Sequence, residues 1–169
     1  MPRTLRGRAV CYCIAMGFTT LSLKGRALRL LAQREHSRLE LERKLASHVA
    51  EGDDLAATLD ELEARDFINP QRVAQSVAYR RGSKLGTARV VQEMRSKGLA
   101  DDTVRAATLQ LRATEWQRAH AIWRQRFGAP GATPQDKLKQ MRFLASRGFS
   151  GEIVRKVVAG QVPEDLPEE

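Results

Sequence analysis

The chain has 169 residues, 42% hydrophobic, 29% charged and only 5% aromatic. That is enough apolar material for a core, but it is poor in the aromatic residues strands favour, and no alternating run bounded by turn chemistry occurs, so a sheet protein is disfavoured. The net charge of +9 is unevenly spread: residues 1–34 carry seven Lys/Arg and no acid, 35–66 net −6, 67–127 net +8, 128–162 net +4 and 163–169 net −4. So uneven a field points to a polyanion or an acidic protein partner.

Residues 1–23 read as a basic arm, disordered or loosely packed. Arg3, Arg6 and Arg8 precede an apolar stretch, Ala9 to Phe18, that is too short to span a bilayer and lacks a small-x-small cleavage site. Cys11 and Cys13 are the only cysteines. Their C-x-C spacing completes no zinc set, and a helical chain with two cysteines fits a reducing, cytoplasmic setting without a membrane. His36, His48 and His120 are scattered and read as surface residues.

The first unit, 24–68, opens with a helix predicted from Ala27 to about Arg34. Ser37 and Glu40 have capping-box spacing, so a second helix starts at Ser37. Leu41, Leu45 and Val49 then fall at i, i+4, i+8 on one face. Asp53 or Asp54 caps a third helix with Leu55, Leu59 and Leu62 inward and Asp60, Glu61 and Glu63 outward. Phe67-Ile68 anchors the turn, and Asn69-Pro70 pairs a cap residue with proline at the first helical position.

The second unit, 69–113, carries Val73 and Val77 on a helix ending in Tyr79-Arg80-Arg81-Gly82. A basic connector holds Lys84. Thr87 is expected to cap the next helix, with Val90, Val91 and Met94 inward and Arg89, Arg95 and Lys97 mostly outward. Gly98 suits the left-handed residue that closes a helix. Asp101 or Asp102 is expected to cap a helix with Val104, Thr108 and Leu111 inward.

The third unit, 114–162, has Trp116, Ala119, Ile122, Trp123 and Phe127 as an apolar stripe, read as core. After a Gly/Pro loop, Thr133-Pro134 starts a helix with Leu138, Met141 and Leu144 inward. Ser150 starts the last helix, with Ile153, Val154, Val157 and Val158. Residues 163–169 form an acidic tail.

The units echo one another. Leu45, Met94 and Leu144 are spaced 49 and then 50 apart, as are Leu55, Val104 and Val154, and again Leu59, Thr108 and Val158. Lys97-Gly98-Leu99 also matches Arg147-Gly148-Phe149. Helices this short cannot fold alone, whereas stacked repeats bury one another's faces. The expectation is an all-α fold of three tandem three-helix repeats in an elongated curved array. One irregular bundle with coincident spacings is the alternative.

The chain contains no Walker loop, G-x-G-x-x-G, H-E-x-x-H or G-x-S-x-G pattern. With the charge pattern, this favours binding over catalysis, and no metal or catalytic residue is nominated.

The segment ALRLLAQREHSRLELERKLA resembles the N-terminal signature of the RecX family of bacterial RecA regulators. DFINPQRVAQSVAYRRGSKLGTARVVQEMRSKGLADD resembles that family's second unit, and LASRGFSGEIVRKVV its third, more loosely. Asn69-Pro70 stands where the family usually has an acidic pair, Val73 where it often has an aromatic, and residues 1–24 match nothing usable. The resemblance implies three tandem repeats and no cofactor. It implies an inhibitor of RecA recombinase that binds the RecA–DNA filament and limits its growth, ATP hydrolysis and strand exchange in DNA repair. Weaker binding to single- and double-stranded DNA is implied as well; because no long heptad seam appears in the sequence, the expected species is a monomer.

The residues nominated to touch RecA or DNA are Tyr79, Arg80, Arg81, Lys84, Arg89, Arg95, Lys97 and Arg105. The rival reading is a non-specific nucleic-acid-binding helical protein that competes for single-stranded DNA.

Overall fold

The computed structural model describes residues 21–163. Most of the expected arm and all but the first residue of the acidic tail lie outside the described residues. Within them the chain forms nine α-helices, one 3-10 turn and no strand: α1 (Leu23–Leu31), α2 (Arg38–Leu45), a 3-10 turn (Ala46–His48), α3 (Leu55–Ala64), α4 (Pro70–Gly82), α5 (Thr87–Ser96), α6 (Asp101–Ala113), α7 (Glu115–Phe127), α8 (Pro134–Ser146) and α9 (Gly151–Val158).

Local chemistry explains most of the boundaries. Ser37 and Glu40 form the reciprocal capping box of α2: Glu40 N donates to Ser37 Oγ at 3.2 Å, and Ser37 N donates to Glu40 Oε2 at 3.1 Å. Asp54, Asn69, Thr133 and Ser150 accept from first-turn amides of α3, α4, α8 and α9. Gly98 closes α5 with φ +73°, and Gly148 closes α8 with φ +84°. At these φ values a Cβ is penalised, which is why both turns carry glycine.

Three separate cores follow, one for each trio of helices. Leu23, Ala27, Leu41, Leu45, Leu59, Leu62 and Ile68 form the first. Val73, Val77, Val90, Met94, Val104 and Leu111 dominate the second. Ala119, Trp123, Leu144, Phe149, Val154, Val157 and Val158 form the third. Leu45, Met94 and Leu144, the residues that revealed the repeat, are each at most 1% exposed. The main helix packing stays within each trio, and α6 against α7 is the principal contact that crosses between trios. The chain is therefore three small layers, each too small to stand alone, rather than one bundle around one core.

Several expectations are corrected. α1 begins at Leu23 instead of Ala27, because Ser22 caps it by accepting from Gly25 N, and it ends at Leu31. Val49 is exposed, because α2 stops at Leu45 and the 3-10 turn rotates the chain off the apolar face. Phe67 and Leu138 are also exposed. Thr87 is the first residue of α5 rather than its cap. Gly86 occupies the cap position, and Asp101 and Asp102 likewise sit inside α6, after Ala100. His36 and His120 are buried, at 2% and 7% exposure, and only His48 is at the surface. Burial lowers the pKa of both below the usual histidine value, with Arg124 adding to the effect at His120.

Polar groups lock the trios together at two quasi-equivalent joints. In both, the turn that closes one trio's second helix seats on the start of the preceding trio's second helix. A Cβ at Gly98 would lie 2.9 Å from Leu39 Cδ2, and one at Gly148 would lie 2.6 Å from Arg89 Cγ.

The first joint is ionic. Lys97 Nζ donates to Glu40 Oε1 at 2.6 Å, Arg34 also binds Glu40, and Arg72 reaches Glu35 at 3.0 Å and Asp66 at 2.6 Å. Burial alone would push the Glu40 carboxyl up. Hydrogen bonds from Arg34, Lys97 and Ser37 outweigh it and bring the pKa down to about 2.

The second joint is built on backbone. Gly86 N donates to Arg147 O at 2.9 Å, and Ala88 N donates to Gly148 O at 3.3 Å. Glu115 Oε1 accepts from Thr87 N at 2.9 Å and so caps α5 from the following trio. Arg118 donates to Gly82 O (2.8 Å), Leu85 O (2.6 Å) and Leu111 O (2.8 Å). These carbonyls lie at or just beyond the C-terminal ends of α4 and α6, where a cation also complements the helix dipole.

Candidate functional site

Internal pairing decides which charges remain for a partner. The acidic segment of the first trio is largely neutralised from within. Arg38 binds Glu42 (3.0 Å), Asp60 (2.6 Å) and Glu63 (2.8 Å), which raises its pKa, and Glu61 takes Lys24 and Arg65. Glu35, Glu40 and Asp66 consume Arg72 and Lys97 of the second trio. Basic residues without an ion pair among the described residues remain on every trio, Arg29, Arg43 and Lys44 on the first and the larger share on the second and third.

The eight nominated residues do not form one site. Tyr79 is 88% exposed on α4, beside Arg80 and Arg81. Arg80 Nε donates to Ser76 O at 3.2 Å, and Arg81 pairs with Glu93 at 2.9 Å, so only part of their donor capacity is uncommitted. Lys84 is exposed in the α4–α5 connector. Arg89 rests its stem under Gly148 at the second joint while the residue remains exposed. Arg95 and Arg105 share a groove of about 350 Å³ with Asp101, Leu109 and Arg112. Arg105 is 73% exposed and pairs loosely with Asp102 at 3.3 Å. Lys97, expected to point outward, is instead held in the Glu40 clamp with only 13% of its side chain exposed. It serves the joint.

Sequence reasoning missed Arg126 and Arg147. With Lys84 they line a cleft of about 600 Å³ between the second and third trios, together with Ser83, Ile122, Gln125 and Phe143. No carboxylate lines this cleft. The Arg147 guanidinium lies 3.6 Å from the Phe143 ring centroid and donates to Phe143 O at 3.2 Å, so it is held flat. The missed signal is spatial: Lys84 and Arg147 lie far apart in sequence, and only the Gly86–Arg147 backbone joint brings them together.

Among the described residues, no cluster of His, Cys, Asp or Glu could hold a metal ion, and no helix is long and apolar enough to cross a membrane.

Fold and surface together define a class: an all-helical array of three-helix units whose uncommitted charge is basic and lines open grooves rather than an enclosed pocket. The profile of the RecX third three-helix domain matches residues 113–158. The regulatory protein RecX of Leptothrix cholodnii is 50% identical over 138 residues, covering 82% of this chain and 88% of that protein. That of Ralstonia nicotianae is 46% identical over 140 residues, covering 83% and 88%. The crystal structure of RecX from Lactobacillus salivarius superposes with a TM-score of 0.68 at 20% identity, over 82% of this chain and 93% of that one. The chain belongs to the RecX family of regulatory proteins.

Proposed function

We propose that this chain inhibits RecA recombinase by binding the RecA–DNA filament, limiting its growth and with it ATP hydrolysis and strand exchange. The observation that carries the reading is the 50% identity to a regulatory protein RecX across 82% of the chain, which takes in all three trios. The geometry supports it. Two locked joints hold the trios in fixed relation, so the body acts as a ruler that can touch more than one protomer of a filament. The units proposed are 24–68, 69–113 and 114–162, the second and third each seating the end of their second helix on the unit before. Tyr79, Arg80, Lys84, Arg89, Arg95 and Arg105 are exposed and supply the contact chemistry. The setting proposed is the cytoplasm, and the acting species a monomer.

The second reading, competition for single-stranded DNA, is favoured by one observation, the carboxylate-free basic cleft between the second and third trios. The two are separated by comparing binding of the labelled protein to preformed RecA filaments and to bare DNA of the same length. The regulator reading expects clear preference for the filament at physiological salt. Equal binding to both, with the same salt slope, supports the competitor.

A further inference from the structure

We propose that the cleft between the second and third trios is a binding site for the sugar–phosphate backbone of single-stranded nucleic acid. Three elements converge on it: the α4–α5 connector brings Lys84, α7 brings Gln125 and Arg126, and the end of α8 brings Phe143 and Arg147. Neither Lys84 nor Arg126 makes an ion pair among the described residues. Arg147 is fixed by its stack on Phe143 and its bond to Phe143 O. A cation ordered before binding loses less freedom when a phosphate arrives, and a flat guanidinium can offer two donors to paired phosphate oxygens.

The rest of the lining favours nucleic acid over an acidic peptide. Ile122 adds apolar surface and Gln125 an amide, which suits bases spaced between phosphates, while the Phe143 ring is taken up by Arg147 and Phe127. The cleft, about 600 Å³ between two trios, is open to solvent rather than enclosed, as binding to a continuous strand requires. The cleft exists only because the trios are docked: Gly86 meets Arg147 and Gly148 backbone directly, so strand binding and docking of the third trio support each other. The inference goes beyond the regulator reading, since a strand held in this cleft is equally what the competition reading requires, and it is measured without recombinase, so the two can fail separately.

The test is fluorescence anisotropy with labelled oligothymidylate across a salt series, for wild type, for Lys84→Ala/Arg126→Ala, and for Arg43→Ala/Arg65→Ala, which removes equal charge from the first trio. Losing two phosphate contacts should lower the slope of log affinity on log salt by about 1.4 and weaken binding more than tenfold, roughly, at about 50 mM salt. The first-trio variant should keep the wild-type slope. Circular dichroism melting verifies that these exposed substitutions leave the fold intact. An unchanged slope in the cleft variant overturns the proposal. So does equal loss in both variants, which would mean diffuse charge, or failure of the wild type to bind the oligonucleotide at low salt. If the cleft variant binds DNA normally but loses RecA filaments, the cleft serves an acidic protein surface and the proposal is again overturned.

Discussion

Replacing Arg118 with alanine should uncouple the third trio from the second. Its guanidinium is the donor for Gly82 O, Leu85 O and Leu111 O, and it also reaches Thr87 Oγ1 at 3.4 Å and Thr114 Oγ1 at 3.2 Å. It lies 6.0 Å from the Phe149 ring centroid. Burial pulls its pKa below the usual arginine value, against the pull of nearby Glu115. Each bond from a charged donor is worth about 1.5–3 kcal/mol, but the three bonds are only part-buried and water replaces part of the loss. We expect a cost of about 3–4 kcal/mol, a large share of the roughly 5–15 kcal/mol that holds a domain of this size together.

Both tryptophans, Trp116 and Trp123, lie on α7, so fluorescence reports the third trio while far-UV circular dichroism reports all three. In urea, Arg118→Ala should lower the fluorescence midpoint and separate it from the dichroism midpoint, as expected when one repeat undocks first. Arg118→Lys should recover less than half of the loss, because one ammonium cannot reach carbonyls on separate elements. Coincident transitions and a loss below about 1 kcal/mol would refute the reasoning.

Gly86→Ala should be at least as damaging. Its φ of −73° is ordinary, but the new Cβ would lie 2.2 Å from Phe149 N and 2.3 Å from Gly148 C, backbone atoms that cannot step aside. Urea denaturation should show a loss of about 3 kcal/mol, and a near-neutral result would mean the joint is loose. Lys97→Ala should cost about 1–2 kcal/mol in the same assay yet leave the salt slope of DNA binding unchanged, because this lysine serves Glu40. A change in slope would restore it to the binding surface.

Acid should weaken the fold in two stages. His36 and His120 have lowered pKa values, so their contribution is complete above the ordinary value of 6.5 and is lost as pH falls below it. Glu40 falls from 4.5 to about 2, so its contribution is complete above 4.5 and is lost as pH drops towards 2. After allowance for solvent screening, the Glu40 stage is worth about 1–2 kcal/mol. Denaturation midpoints across pH should show both stages in the wild type and a smaller lower stage in Glu40→Gln, where Asp66 and Glu61 keep their lowered pKa values, and a midpoint that rises on acidification would contradict the assignment.

What was legible in the sequence was local. The Ser37–Glu40 box, the Asn69-Pro70 start and the glycines at 98 and 148 are fixed by neighbours within a few positions, so their chemistry can be read directly. The repeat was legible because equivalent core positions keep one spacing through three trios. The joints were not legible. Lys97 looks like a free cation until the fold brings Glu40 to it across 57 positions, and Thr87 looks like a cap until Glu115 supplies the carboxylate from the next trio. The basic cleft escaped for the same reason, since Lys84 and Arg147 meet only once the third trio is docked.

The central claim is filament-directed inhibition, and its most direct test is RecA's DNA-dependent ATP hydrolysis on saturating single-stranded DNA, with this protein titrated from far below stoichiometric ratios. The account predicts inhibition at ratios too low to coat the DNA. Inhibition only once the DNA is covered, or none at any ratio with RecA from the same organism, would contradict it.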